Sequence, residues 1–64
     1  MKHKRLRLSR DVDRPKRGYV VWRGAERVGT VERYTRRCWI GRDRGGGYVG
    51  AFPLRRECVA EVSK

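Results

Sequence analysis

Residues 33 to 52, RYTRRCWIGRDRGGGYVGAF, interleave arginines with tyrosine, tryptophan, phenylalanine and glycine. A guanidinium is a flat fork of five N–H donors that holds a phosphate or a guanine edge with two parallel hydrogen bonds, and its face stacks on aromatic rings. Neighbouring glycines let the backbone approach a bulky anion closely. The chemistry open to this stretch is therefore recognition of phosphate chains. Arg37, Arg42 and Arg44 are candidate phosphate contacts, with Trp39 and Tyr48 as aromatic surfaces. Arg42 and Arg44 flank Asp43 beside Gly45, Gly46 and Gly47, which reads as a clamp on a backbone phosphate. The spacing is not that of a nucleotide-binding phosphate loop, so no nucleotide is implied. An arginine-favouring codon usage would give the same bias with no ligand at all.

The bulk composition narrows the function classes. A chain of 64 residues forms one domain, and a domain of that size buries only about 60% of its unfolded surface, which leaves no room for a supported catalytic cleft. His3 and Ser9 have no partners arranged for nucleophilic catalysis. An enzyme is not expected and no catalytic residue is assigned. The 18 basic against 7 acidic residues leave a formal charge of +11. Such a field attracts polyanions and has the wrong sign for a nucleic-acid mimic. Fourteen of the 18 basic residues are arginine, although lysine would serve solubility equally well.

Cys38, Cys58 and His3 fall short of the four closely spaced ligands of a structural zinc site, so neither metal nor other cofactor is expected. No apolar run follows MKHKRLRLSR, and no stretch approaches membrane-spanning length. The expectation is an intracellular, cytoplasmic protein with two free, buried thiols and no membrane partner.

These residues must be positioned by short elements. Residues 1 to 18 carry eight basic and two acidic side chains and read as a basic N-terminal arm that orders on a partner. Within it Arg5, Leu6, Arg7 and Leu8 alternate as an edge strand would, a competing reading. As part of an arm, Arg5 and Arg7 suit a narrow A·T-rich minor groove. Residues 19 to 64 form the domain proper. YVVWRGAERVGTVERY is a hairpin signal. A two-residue turn with Gly24 at positive φ pairs Arg23 with Glu26, Trp22 with Arg27, Val21 with Val28, Val20 with Gly29 and Tyr19 with Thr30. A second turn at Thr35 and Arg36 sets Arg33 against Cys38, Glu32 against Trp39 and Val31 against Ile40.

Alternate side chains of a strand point to opposite faces. This register places Val20, Trp22, Val31, Cys38 and Ile40, with Gly29, on a covered apolar face. Tyr19, Val21, Arg23, Val28, Thr30, Glu32, Arg37 and Trp39 fall on the open one. The cover is a C-terminal helix, since Leu54, Cys58, Val59 and Val62 make one stripe. Leu54 stands as its cap without a hydroxyl, and Arg55 and Arg56 occupy the first turn, where a bound phosphate would offset their repulsion from the helix dipole. The expected fold class is α+β: a three-stranded antiparallel sheet backed by one C-terminal helix.

The run Tyr48, Val49, Gly50, Ala51, Phe52 leading into a short striped helix resembles the ending of a group of small DNA-binding domains: the plant ethylene-response-factor type and the arm-site-binding domain of phage-type tyrosine recombinases. Tyr48, Gly50 and Phe52 match that pattern. Cys58 stands where a small alanine is usual, Gly45 to Gly47 replace a charged turn and Leu54 replaces a threonine cap. The resemblance implies a three-stranded sheet lying in the major groove, with Arg and Trp of its open face making the contacts. Similar element orders occur in small proteins of phages and mobile elements.

The expected function is a small double-stranded DNA-binding module, phosphate-dominated and of modest sequence specificity. Its candidate contacts are Arg5, Arg7, Tyr19, Arg23, Arg37, Trp39, Arg42, Arg44, Tyr48, Arg55 and Arg56. Two alternatives stay open: docking on an acidic protein surface, because exposed Trp, Tyr and Arg also make interface hot spots, and RNA binding, because aromatics on a sheet stack unpaired bases.

Overall fold

The computed structural model describes residues 6–12 and 17–64. Five strands form one antiparallel meander in the order β1 (Leu6–Arg10), β2 (Gly18–Arg23), β3 (Glu26–Thr35), β4 (Cys38–Asp43) and β5 (Tyr48–Phe52). One helix, α1 (Arg55–Val62), closes the chain. The class is α+β, but the three-stranded sheet expected from sequence is corrected to five strands, and with it the three-stranded architecture that the DNA-binding resemblance implied. Among the described residues no helix is long and apolar enough to cross a membrane.

The two additional strands have identifiable causes. β1 comes from the segment read as an arm: Leu8 packs against the core while the next residue, Ser9, turns to the other face and accepts a 2.8 Å hydrogen bond from Trp22 Nε1. The alternation of Leu and polar residues therefore outweighs the local charge, because β2 supplies both a backbone ladder and a side-chain partner. β5 is the short YVGAF run, whose Phe52 lies opposite Trp39 and reaches the core cluster.

Three bulges set the register. Near the first turn Arg23 pairs with Glu26 and Trp22 with Arg27 as the sequence predicts, and Gly24 has φ +63°. Val28 is then an extra residue, so that Val21 lies opposite Gly29, Val20 opposite Thr30 and Tyr19 opposite Val31. In the next ladder Val31 lies opposite Gly41, Glu32 opposite Ile40 and Arg33 opposite Trp39, with Tyr34 extra before Thr35 meets Cys38. Val49 is the extra residue between β4 and β5. A one-residue shift exchanges the faces of every side chain beyond it.

The helix-covered face accordingly differs from the expected one. Val21, Val28 and Val31 are buried with Cys58 and Val62 of α1, and Leu8, Tyr19, Trp39, Phe52 and Val59 pack around them. Tyr19, Val21, Val28 and Trp39 were expected on the open face. Val20 and Trp22 lie on the face away from the helix instead, in line with Ser9 and Thr30, and Val20 is buried there. The reason is steric. A side chain at Gly29 would collide with Val62 and with the backbone carbonyl of Arg42, and a Cβ at Gly41 would lie 2.5 Å from Val62 Cγ2 and 3.0 Å from Cys58 Sγ. The helix rests where two glycines leave room, and the bulges bring both glycines to that face.

α1 starts where the sequence predicts. Leu54 is the N-cap, with φ −123° and ψ 141° and no side-chain capping bond. Cys58 and Val62 are buried and Val59 packs beside them, whereas Leu54 at the head of the stripe is exposed. The helix is held by its buried face and not by its cap.

Candidate nucleic-acid interface

The meander brings alternate strand ends together. The ends of β1, β3 and β5 and the starts of β2, β4 and α1 share one end of the molecule. Arg10, Arg33, Arg36, Arg37, Arg55 and Arg56 lie there, and Arg17 joins them just before β2. At the opposite end Arg27 is exposed, but three other cations are engaged by the protein itself. The Arg23 guanidinium donates to the Ser63 carbonyl oxygen at the end of α1. Arg44 lies 3.3 Å from Glu26, and Lys64 lies 2.8 Å from Glu61.

At the basic end, β3 and β4 run on past the start of β2, whose Gly18 lies opposite Glu32. The Arg33 amide still bonds to the Arg17 carbonyl oxygen at 2.9 Å, which ties the approach to β2 against the projecting ribbon. Arg17, Arg33, Tyr34, Thr35 and Arg36 line a recess of about 310 Å³ there. All five are exposed and none is acidic. Only Thr35 among them adds a hydroxyl beside Tyr34, so the lining is arginine, aromatic and hydroxyl: donors and a ring face with no competing carboxylate.

Toward the helix side of the same end lies a stack of rings and guanidinium groups. The Tyr19 and Trp39 centroids are 6.3 Å apart at 34°. The Arg55 guanidinium sits 5.3 Å from the Tyr19 ring and 5.9 Å from the Trp39 ring, and Arg10 lies 6.0 Å from Tyr19. Cation–π attraction of about 0.5–1 kcal/mol at an exposed site offsets the few tenths that a cation loses in the first turn of a helix. Arg55 thus has a structural partner, while exposed Arg56 has neither ring nor ion pair among the described residues.

The remaining candidates scatter. Arg5 lies outside the described residues. Arg7 stacks 5.5 Å above Trp22 on the open face. Arg37 is in the exposed β3–β4 turn, within the basic end. Arg42 lines a small recess of the open face with Asp11, Thr30, Glu32 and Ile40, and Tyr48 lies opposite it, exposed. The expected clamp of Arg42 and Arg44 does not assemble, since Arg44 turns to Glu26. The glycine loop is closed by its own aspartate: Asp43 Oδ1 accepts from the Gly45 amide at 2.9 Å and the Gly47 amide at 2.8 Å, which takes the donors a phosphate would need.

Sequence reasoning missed Arg17, Arg33, Tyr34 and Arg36. The signal was the density of RYTRR, which places a ring among three arginines; what could not be read was that Tyr34 is the bulged residue. Among the described residues no group of three His, Cys, Asp or Glu side chains could hold a metal ion. Cys38 and Cys58 are free thiols. The Cys58 thiol is pushed up to about 11 by burial and, secondarily, by Cys38, and so is a packing element of the core, not a nucleophile.

No protein-family model, curated protein or solved structure matches the chain.

Proposed function

We propose that the protein is a phosphate-dominated, double-stranded DNA-binding module that engages the duplex with the basic end of its sheet. The observation that carries this reading is the segregation of arginines. Arg17, Arg33 and Arg36 face solvent around an acid-free recess at one end, with Arg37 and Arg56 exposed beside them, while at the other end Arg23, Arg44 and Lys64 are bound by the protein itself and Arg27 is exposed.

The shape supports duplex over a flat surface contact. A two-stranded ribbon is narrow enough for the major groove of B-DNA, about 12 Å wide, whereas the deep and narrow major groove of A-form RNA does not admit side chains. The end of the β3–β4 ribbon that extends beyond Arg17 on one side and Phe52 on the other carries Arg36 and Arg37, with Arg33 just behind it. Arg17 lines the same recess, and Arg56 is exposed in the first turn of α1 at this end. The net charge of +11 adds long-range steering to this local geometry.

Fluorescence anisotropy of a labelled random-sequence duplex at about 50 and 200 mM salt tests the reading. Neutralising about six phosphates makes affinity fall roughly a thousandfold over that range. Absent or salt-insensitive duplex binding refutes it and directs attention to an acidic protein partner.

A further inference from the structure

Tyr34 is the extra residue of the β3 bulge. Arg33 has Trp39 opposite and Thr35 has Cys38, so Tyr34 has no cross-strand partner. A bulge re-aims the side chain it carries. Here the ring ends 66% exposed at the tip of the ribbon, in the recess with Arg17, Arg33 and Arg36.

The other rings of the sheet explain why this is distinctive. Tyr19, Trp22 and Trp39 each carry a guanidinium on the ring, from Arg10, Arg7 or Arg55. Among the described residues no ring or guanidinium stacks on Tyr34. Tyr48 is about as exposed, but it lies opposite Arg42, away from the recess. Tyr34 therefore combines an open ring face with surrounding phosphate donors. That is the chemistry that holds an unstacked base and its backbone: the π-face takes the base, and guanidinium groups take the flanking phosphates. A paired base inside a duplex cannot present its face to the ring.

Resting on the nucleic-acid reading above, we infer that Tyr34 is a stacking platform for an unpaired nucleobase, with Arg17, Arg33 and Arg36 on the adjoining phosphates, so that duplex DNA carrying an extrahelical base is the preferred ligand. Thr35 lies beside the base and offers a hydroxyl to its edge.

The test compares a fully paired duplex with the same duplex carrying one bulged 2-aminopurine, by anisotropy and by 2-aminopurine fluorescence. The expected result is about tenfold tighter binding of the bulged duplex, with the base fluorescence quenched on stacking. Tyr34→Phe keeps both effects. Tyr34→Ala brings the bulged duplex down to the affinity of the paired one, with circular dichroism checking that the sheet is retained. Equal affinity of the native protein for the two duplexes, or a preference that survives Tyr34→Ala, overturns the stacking platform and leaves phosphate binding standing. Binding to neither duplex overturns the DNA reading itself, and the platform with it.

Discussion

The indole Nε1 of Trp22 donates a 2.8 Å hydrogen bond to Ser9 Oγ, across the ladder that joins β1 to β2. This bond lies on the face away from the helix, with the Arg7 guanidinium over the same indole. It gives the first strand a side-chain anchor in addition to its backbone ladder. Ser9→Ala is expected to cost about 1 kcal/mol, since it leaves a part-buried N–H without its acceptor. Urea unfolding of Ser9→Ala, Trp22→Phe and the double variant checks this: the double variant should lose less than the sum of the two singles. Full additivity would show that the bond contributes nothing.

Gly41 and Gly29 set how closely α1 can dock. A methyl at Gly41 meets the Val62 and Cys58 side chains, which can shift, whereas one at Gly29 also meets the Arg42 backbone carbonyl, which cannot. Gly41→Ala is expected to destabilise by about 1–3 kcal/mol and Gly29→Ala by more. In the Gly41→Ala background, Val62→Ala should cost less than in the native chain, because it removes the clash. Thermal unfolding of the set would show this coupling. A Gly29→Ala protein as stable as the native one would contradict the docking described.

Cys58 links stability to alkaline pH. Its thiol is raised to about 11 in the fold, against about 8.5 for a free cysteine. The folded chain therefore holds the proton more tightly than the unfolded chain. The stabilisation from this group is complete below about pH 8.5 and is lost as the pH rises toward 11. Stability of the native protein minus that of Cys58→Ala, measured by denaturant from pH 7 to 11, should fall over this window. Thiol labelling at pH 8 should modify half-buried Cys38 first and leave buried Cys58 protected until the chain unfolds.

The two ends of the sheet should differ in their effect on duplex affinity. Arg33→Ala and Arg36→Ala should each weaken binding and lower the salt slope by about one. Arg44→Ala, whose partner is Glu26, should leave the slope unchanged. Anisotropy titrations at several salt concentrations measure both quantities. Equal losses from Arg33 and Arg44 would place the interface elsewhere.

Trp39 separates a packing role from a binding one. Its ring packs at the margin of the core and against Tyr19, so Trp39→Ala should cost about 2–3 kcal/mol of stability, within the usual range for half of a large aromatic burial. Arg37→Ala, at an exposed turn, should leave the unfolding midpoint within about 0.5 kcal/mol of native. Chemical denaturation of the two variants distinguishes these roles.

What the sequence determined by itself were the local choices. Gly24 between two β-branched runs specifies the first turn, and the pairs Arg23–Glu26 and Trp22–Arg27 follow from it, because a tight turn dictates the residues nearest to it. Pro53 and the Cys58 to Val62 stripe specify the helix and its buried side. The excess of arginine is legible without any coordinates.

Only the tertiary structure decided which face each side chain takes. That choice passes through single extra residues at Val28, Tyr34 and Val49, and nothing in their neighbours announces them. They are set by a distant requirement, the seating of Val62 over Gly29 and Gly41, which moves Tyr19 and Trp39 under the helix and turns Trp22 outward. The same holds for β1, where Leu8 and Ser9 become strand residues because β2 and Trp22 are there to receive them. The site follows the same rule: seven arginines from five segments meet at one end only because an antiparallel meander returns its alternate strand ends to the same place.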